Sequence, residues 1–296
     1  MPADAQILVP LDGSDTAARA LPYAAAVARA LGAPVMLLAV WQPIAPHALR
    51  FHGAPPAADL DRETAATAAA YLEQTRSVME AAVPVTTLVR RGDAADEIVS
   101  AARAINAKMI VMSTHGRSGI SRWRLGSVAG RVLRESETPL LAIGPTVASR
   151  ELAPVELGRI MIALDGSAFG EAALPIAQEL AAALGAHVTL ARSIASAFIQ
   201  YPFAPIALTL PAVDDQLAAE ASAYLESKAA SFPGADLAVL HGSDAATQLC
   251  DAIDERQIDL VVMATHARAT VGRAVLGSTA DRLLQCNAPV LLVRPG

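Results

Sequence analysis

Apolar positions along this chain follow two alternating rhythms. Residues 6–11, 34–41, 109–112 and 140–143 are short apolar runs, and residues 85–89, which include Thr86 and Thr87, read as a further strand. Such runs read as strands buried on both faces, where no polar alternation is needed. Between them lie stretches rich in Ala, Leu and Val at helical spacing: residues 14–31, 59–82, 94–105 and 127–135. Ser14 suits the start of the first, after Asp12-Gly13, and Gly32 suits its end, as N-cap and C-cap. Strands that alternate with helices predict a parallel sheet covered on both faces. Right-handed crossovers then predict a doubly wound α/β fold with strand order 3-2-1-4-5.

The same pattern returns about 150 residues later. Ile7-Leu8-Val9-Pro10-Leu11-Asp12-Gly13-Ser14 is answered by Ile160-Met161-Ile162-Ala163-Leu164-Asp165-Gly166-Ser167. Leu31-Gly32-Ala33 returns as Leu184-Gly185-Ala186, and Arg91-Gly92 as His241-Gly242. Val111-Met112-Ser113-Thr114-His115 returns as Val262-Met263-Ala264-Thr265-His266, and Leu125-Gly126-Ser127 as Leu276-Gly277-Ser278. Ordered matches at a nearly constant offset mark a tandem duplication. The expected domains are residues 1–145 and 158–296, with the seam near Pro145 to Gly158. The last strand of each half would be a sheet edge, which invites pairing.

Composition narrows the class. A net charge of −6 over 296 residues gives no general footprint for nucleic acid. A hydrophobic fraction of 53% against 18% charged excludes global disorder. The mean hydropathy of +0.39 calls for a membrane check. The uncharged run Ser193 to Val213 contains Pro202, Pro205 and Pro211, which break a spanning helix; it reads as an apolar loop. The N-terminus lacks the charged and apolar regions of a signal peptide, so the expected location is the cytoplasm, with no membrane partner. Two cysteines, Cys250 and Cys286, exclude a disulfide scaffold. They read as inert small hydrophobes in helical segments.

In an open doubly wound sheet, ligands sit beyond the carboxyl ends of the strands where the order reverses. The first strand delivers Asp12 there, and the fourth delivers Ser113-Thr114-His115-Gly116. The loop after the fourth strand reaches Gly126-Ser127 at a helix start. A helix N-terminus attracts anions, and glycine lets a backbone approach phosphate. Asp12 could accept from an adenine amino group or a ribose hydroxyl; read alone it is equally a turn residue. Gly126-Ser127 read alone is an ordinary helix start. Their combination and repetition point to a nucleotide.

These residues resemble the universal stress protein family in its tandem-domain form. ATP-binding members carry Gly-x2-Gly-x9-Gly-[Ser/Thr] after the fourth strand. Here Ser113 replaces the first glycine, and Gly116, the nine residues Arg117 to Leu125, and Gly126-Ser127 complete the pattern. The resemblance implies a Rossmann-like, adenine nucleotide alpha hydrolase-like fold and ATP as ligand, with or without Mg²⁺. It implies that Asp12 and the backbone of Val40 hold adenine, that Met112 and Ser113 line the ribose, and that Gly116 lies beside the phosphates. Gly126, Ser127 and the Val128 amide would bind phosphate. In the second half the corresponding residues are Asp165, Ser193, Met263, Ala264, Ala267, Gly277, Ser278 and Thr279. Ala264 and Ala267 replace both leading glycines, so a weaker second site is expected. The resemblance also implies that the final strands pair the two halves around a pseudo-twofold axis. A further homodimer is expected.

Other signals are weaker. His115 and His266 recur but have no acidic or thiol residue at ligand spacing, and read as loop anchors. Arg117, Arg122, Arg124 and Arg131 either add positive potential for a triphosphate or are solvated charges. Phe198, Tyr201 and Phe203 either cover a pocket, form a subunit contact or bury against the core. The leading reading is a regulatory, stress-response ATP-binding protein acting through nucleotide-dependent conformation on an unknown protein partner. No P-loop, paired carboxylates or nucleophile–base pair is present for catalysis. A weak ATPase or phosphotransferase and a nucleotide-free scaffold stay open as alternatives.

Overall fold

A computed structural model describes residues 5–43, 56–114, 125–147, 155–195, 198–200, 207–209, 211–265, 268–270, 273–275 and 277–295. The first half runs β1 (Ile7–Leu11), α1 (Asp15–Ala18), α2 (Leu21–Leu31), β2 (Val35–Trp41), α3 (Ala57–Met79), β3 (Val85–Arg91), α4 (Ala94–Ala104), β4 (Met109–Ser113), α5 (Ser127–Glu135) and β5 (Leu140–Ile143). The second half runs β6 (Arg159–Ala163), a 3-10 turn (Gly170–Ala173), α6 (Leu174–Leu184), β7 (His187–Ala195), β8 (Phe198–Gln200), β9 (Ala207–Thr209) and α7 (Pro211–Ala229). It continues with β10 (Asp236–Gly242), α8 (Ala245–Glu255), β11 (Leu260–Ala264), β12 (Arg268–Thr270), β13 (Arg273–Val275), α9 (Ser278–Leu283) and β14 (Val290–Val293).

The helix expected over 14–31 is two helices. Pro22 sits in the first turn of α2, and Ala20 caps it in helical geometry. Proline has no N–H to continue the preceding turn but is well suited to a helix start. Part of the segment expected as loop over 193–213 is the antiparallel pair β8–β9, and β12 pairs with β13 after β11. Phe198 lies on β8; Tyr201 and Phe203 lie outside the described residues.

Each half has the order 3-2-1-4-5, and the halves join in one ten-stranded sheet, β10-β7-β6-β11-β14-β5-β4-β1-β2-β3. Pairing is parallel within each half and antiparallel at the joint, where Leu140, Leu141 and Ala142 oppose Leu292, Leu291 and Val290. The two strands that would be edges therefore cover each other. Alternate strand residues feed two apolar layers. Ile7, Val9 and Leu11 meet the layer of α2 and α3, with Ile160 and Ile162 in the same cluster; Leu8 and Leu38 meet that of α4 and α5. Each layer continues through both halves, so the joint lies inside a common core. On one face α2 packs on α6 across the seam. Lys108 pairs with Glu179 there, and the Arg19 guanidinium donates to the carbonyls of Pro145 and Val147.

Candidate functional site

The strand order of the first half reverses between β1 and β4, which pair through Ile7–Met109 and Leu8–Ile110. Beyond their carboxyl ends lies a cavity of about 290 Å³. Asp12 enters from the end of β1, Leu38 and Val40 from β2, Met112 and Ser113 from β4, and Gly126, Ser127 and Val128 from the start of α5. Seven of the eight residues assigned to nucleotide from sequence thus line one cavity. The eighth, Gly116, lies outside the described residues, as do His115, His266, Arg117, Arg122 and Arg124. Thr114, which the sequence places at the end of β4, also lines the cavity, as do Ala94 and Ile98, which sequence reasoning missed. Ala94 and Ile98 are one helical turn apart and read from sequence as core, although that spacing also puts them on one face.

The end of β1 is a built turn. Asp12 Oδ1 accepts from the Ser14 N–H at 3.0 Å and from the Ser14 hydroxyl at 2.6 Å. Ser14 Oγ in turn accepts the Ala17 N–H at 3.1 Å, capping α1. Gly13 adopts φ 82, the left-handed region that favours glycine. The turn reading and the ligand reading of Asp12 therefore coexist: Oδ1 shapes the turn while the residue faces the cavity. Ser113, which stands where the family motif has glycine, donates its hydroxyl to the Thr16 carbonyl at 2.5 Å. Its side chain is thereby tied to α1.

The start of α5 has the features of an anion site. Its N-cap is Gly126, which has no side chain to cap it, and no acid stands in its first turn. α4 differs: Asp93 caps it by accepting from Ala95 and Asp96, and Asp96 and Glu97 follow. An uncapped N-terminus leaves N–H donors and the positive dipole end for another partner. Gly126 contributes no free donor itself, since its N–H goes to the Thr114 carbonyl at 2.7 Å. That bond closes the loop at its base.

Arg131 is not a source of free positive potential. It bonds Asp93 at 2.7 Å, Asp96 at 2.5 Å and Glu135 at 3.2 Å, tying α5 to the capped end of α4. The Asp96 backbone N–H, followed by the Arg131 charge, holds the Asp93 carboxyl below its ordinary value of 3.8. A carboxylate depressed in the fold contributes stability above its unfolded value and loses it as pH falls through the folded one. Asp93→Ala is expected to cost about 1 kcal/mol at pH 7, with the difference shrinking as the pH is taken toward 3. Urea melts at both pH values check this; an equal difference at both would remove the ionised cap.

The second half repeats the frame with different contents. Asp165 Oδ1 accepts from the Ser167 N–H at 2.9 Å and hydroxyl at 2.6 Å, and Gly166 adopts φ 85. Met263 and Ala264 end β11, and Gly277, Ser278 and Thr279 start α9; Ala267 lies outside the described residues. Ser193, in the place of Val40, donates to Gln248 Oε1 at 3.1 Å. Arg192 stacks 5.0 Å over Tyr224, and its guanidinium lies 2.8 Å from where a Gly166 Cβ would stand. Burial, with the Glu171 charge, pushes the Tyr224 hydroxyl up to about 12. α9 spans six residues and carries Asp281 in its first turn. A short helix with an acid at its positive end offers less to an anion than α5 does.

Among the described residues no helix is long and apolar enough to cross a membrane. The two cysteines depart from expectation: Cys250 lies on α8, Cys286 lies past the end of α9, and they form a disulfide. The spacing of 36 residues hid a pairing that only the α8–α9 packing creates.

The sequence model of the universal stress protein family matches residues 5–144 and again 156–294. A universal stress protein of Methanocaldococcus jannaschii is 31% identical over 142 residues, 47% of this chain and 81% of its own. The crystal structure of a universal stress protein from Archaeoglobus fulgidus aligns with a TM-score of 0.67 at 19% identity, covering 99% of this chain and 100% of its own. A universal stress protein solved in complex with cAMP covers 49% of this chain and 97% of its own at 25% identity and a TM-score of 0.38.

Proposed function

This chain belongs to the universal stress protein family, and from that premise and the first cleft we propose that its first domain is an adenine-nucleotide sensor in the cytoplasm. Family membership supports a role in the stress response. One observation carries the nucleotide reading: a largely apolar cavity ends on a helix start whose cap residue is glycine and whose first turn carries no acid. Its volume stands at the lower end of ligand pockets, which run from about 300 Å³ upward. That suits a base and sugar with phosphates reaching outward.

In this reading the base enters between Leu38, Val40 and Ile98, with Asp12 as hydrogen-bond acceptor. Met112 and Ser113 flank the sugar, and Gly116 lies beside the phosphates. The amides of Ser127 and Val128 and the Ser127 hydroxyl meet phosphate, and Gly126 contributes by lacking a side chain. ATP supplies a charged triphosphate, taken as its Mg²⁺ complex, and occupancy alters the contacts of the chain with its partners or with a second copy. The second domain, with Ala264 and Ala267 in place of the glycines, binds nucleotide more weakly.

Calorimetric titration of the nucleotide-stripped chain with Mg-ATP tests this. The expected stoichiometry is about one site per chain in the micromolar range, near −8 kcal/mol. Absence of saturable heat would overturn the proposal in favour of a nucleotide-free scaffold. Two equal sites would overturn the division between the halves.

A further inference from the structure

Cys250 and Cys286, the only cysteines of the chain, sit where the second half departs from the first. In the first half α4 and α5 are tied by ions: Arg131 bonds Asp93 and Asp96 at the start of α4, and also Glu135 one turn along its own helix. In the second half Arg282 keeps the first of these pairs, to Asp244 at 3.0 Å. The place of Asp96 is taken by Thr247, and that of Glu135 by Cys286. Cys250 stands opposite, at the position of Val99, and the two sulfurs are bonded with Cα atoms 5.8 Å apart. The second half thus has one inter-helix ion pair fewer at this place and a covalent link beside the one that stays.

The link also borders the joint between the halves. The Thr146 hydroxyl, in the segment after β5, donates to the Gln285 carbonyl at 2.9 Å and the Cys286 carbonyl at 2.8 Å. The Leu284 carbonyl oxygen lies 2.1 Å from where a Cβ on Gly144 would stand. Both cysteines are partly exposed, so small oxidants and thiols can reach them.

We propose that Cys250 and Cys286 are a reversible dithiol–disulfide pair that clamps α9 to α8 when oxidised and releases it when reduced. With a peroxide as oxidant, one thiolate attacks the O–O bond, becomes a sulfenic acid and releases hydroxide or alkoxide. The second thiol then displaces the sulfenic oxygen as water, and the S–S bond forms. A dithiol reverses it: one of its sulfurs opens the bond to a mixed disulfide, the other closes on it, and two cysteine thiols return. Disulfides of cytoplasmic proteins belong chiefly to this transient class. The proposal does not depend on nucleotide binding.

The test uses the full-length chain, oxidised with hydrogen peroxide or reduced with dithiothreitol under native conditions. Maleimide labelling counts thiols, and hydrogen exchange reads each helix. The expected result is zero labels when oxidised and two when reduced, over repeated cycles. Reduction is expected to lower the Tm by about 5–10 °C and to speed exchange in α9 at least tenfold, with α5 unchanged. Cys250→Ser and Cys286→Ser each keep one thiol, and are each expected to label once and to show the fast α9 exchange of the reduced chain, with no slowing of α9 on adding peroxide, since no internal disulfide can form. Three results would overturn the proposal: peroxide leaving two labelled thiols, a bond that opens only in denaturant, or α9 exchange that is the same in both states. The measurements on the unmutated chain stand even if neither variant folds.

Discussion

Gly126→Asp is expected to weaken Mg-ATP binding at least 100-fold without unfolding the protein. The glycine is the N-cap of α5 at φ −55 and ψ 153, a conformation open to any L-residue. Aspartate is among the best residues at that position, because its carboxylate accepts the first free amides of the helix. The N-cap carboxylate reaches the amides of Val128 and Ala129, and Val128 is one of the two assigned to phosphate. The variant therefore competes for the donors and places a negative charge beside the phosphates, an effect of about 3 kcal/mol. The Tm is expected to hold or rise slightly. Gly126→Ala, which adds no charge, is expected to lose less than tenfold. Calorimetry and a thermal melt on both variants decide the matter. Retained affinity in Gly126→Asp would remove α5 from the site.

The second large effect is expected at the joint. Leu141 is 1% exposed and faces Leu291, fully buried, across β5 and β14. Leu141→Asp places a carboxylate in an apolar layer with no cation to meet it, and is expected to cost more than about 4 kcal/mol. Both apolar layers cross the joint, so the urea midpoint should fall and the two halves should melt separately. Leu141→Ala, at about 2–5 kcal/mol, gives a milder form if the aspartate variant does not fold. One cooperative transition near the unmutated midpoint would mean that the halves are held by α2 and α6 instead.

What the sequence carried and what it hid divide along the range of the interactions. The inner strands β1 and β4 were legible because burial on both faces leaves an apolar run, and the repeat marked the two-domain plan. Asp12, Met112 and Gly126-Ser127 could be placed because strand ends and a helix start are local signals that the fold gathers at one end. Ile98 was not legible as a site residue, since a cavity wall and a core position ask for the same side chain. Arg131 looked available because its three carboxylates come from α4 and from one turn further along α5. The break before α2 was written in Pro22, and reading residues 14–31 as one helix overlooked it. The Cys250–Cys286 bond depends on helix packing, which no local pattern reports.

The antiparallel joint has a directional consequence. Strands within each half run parallel, so reversing one half against the other sends the carboxyl ends of β1 and β4 one way and those of β6 and β11 the other. The strand ends that frame the first cleft and their counterparts in the second half therefore run in opposite senses. Fusion adds a freedom that paired identical chains lack. A replacement such as Ala264, or a crosslink such as Cys250–Cys286, appears once rather than twice, so the two ends need not be chemically alike.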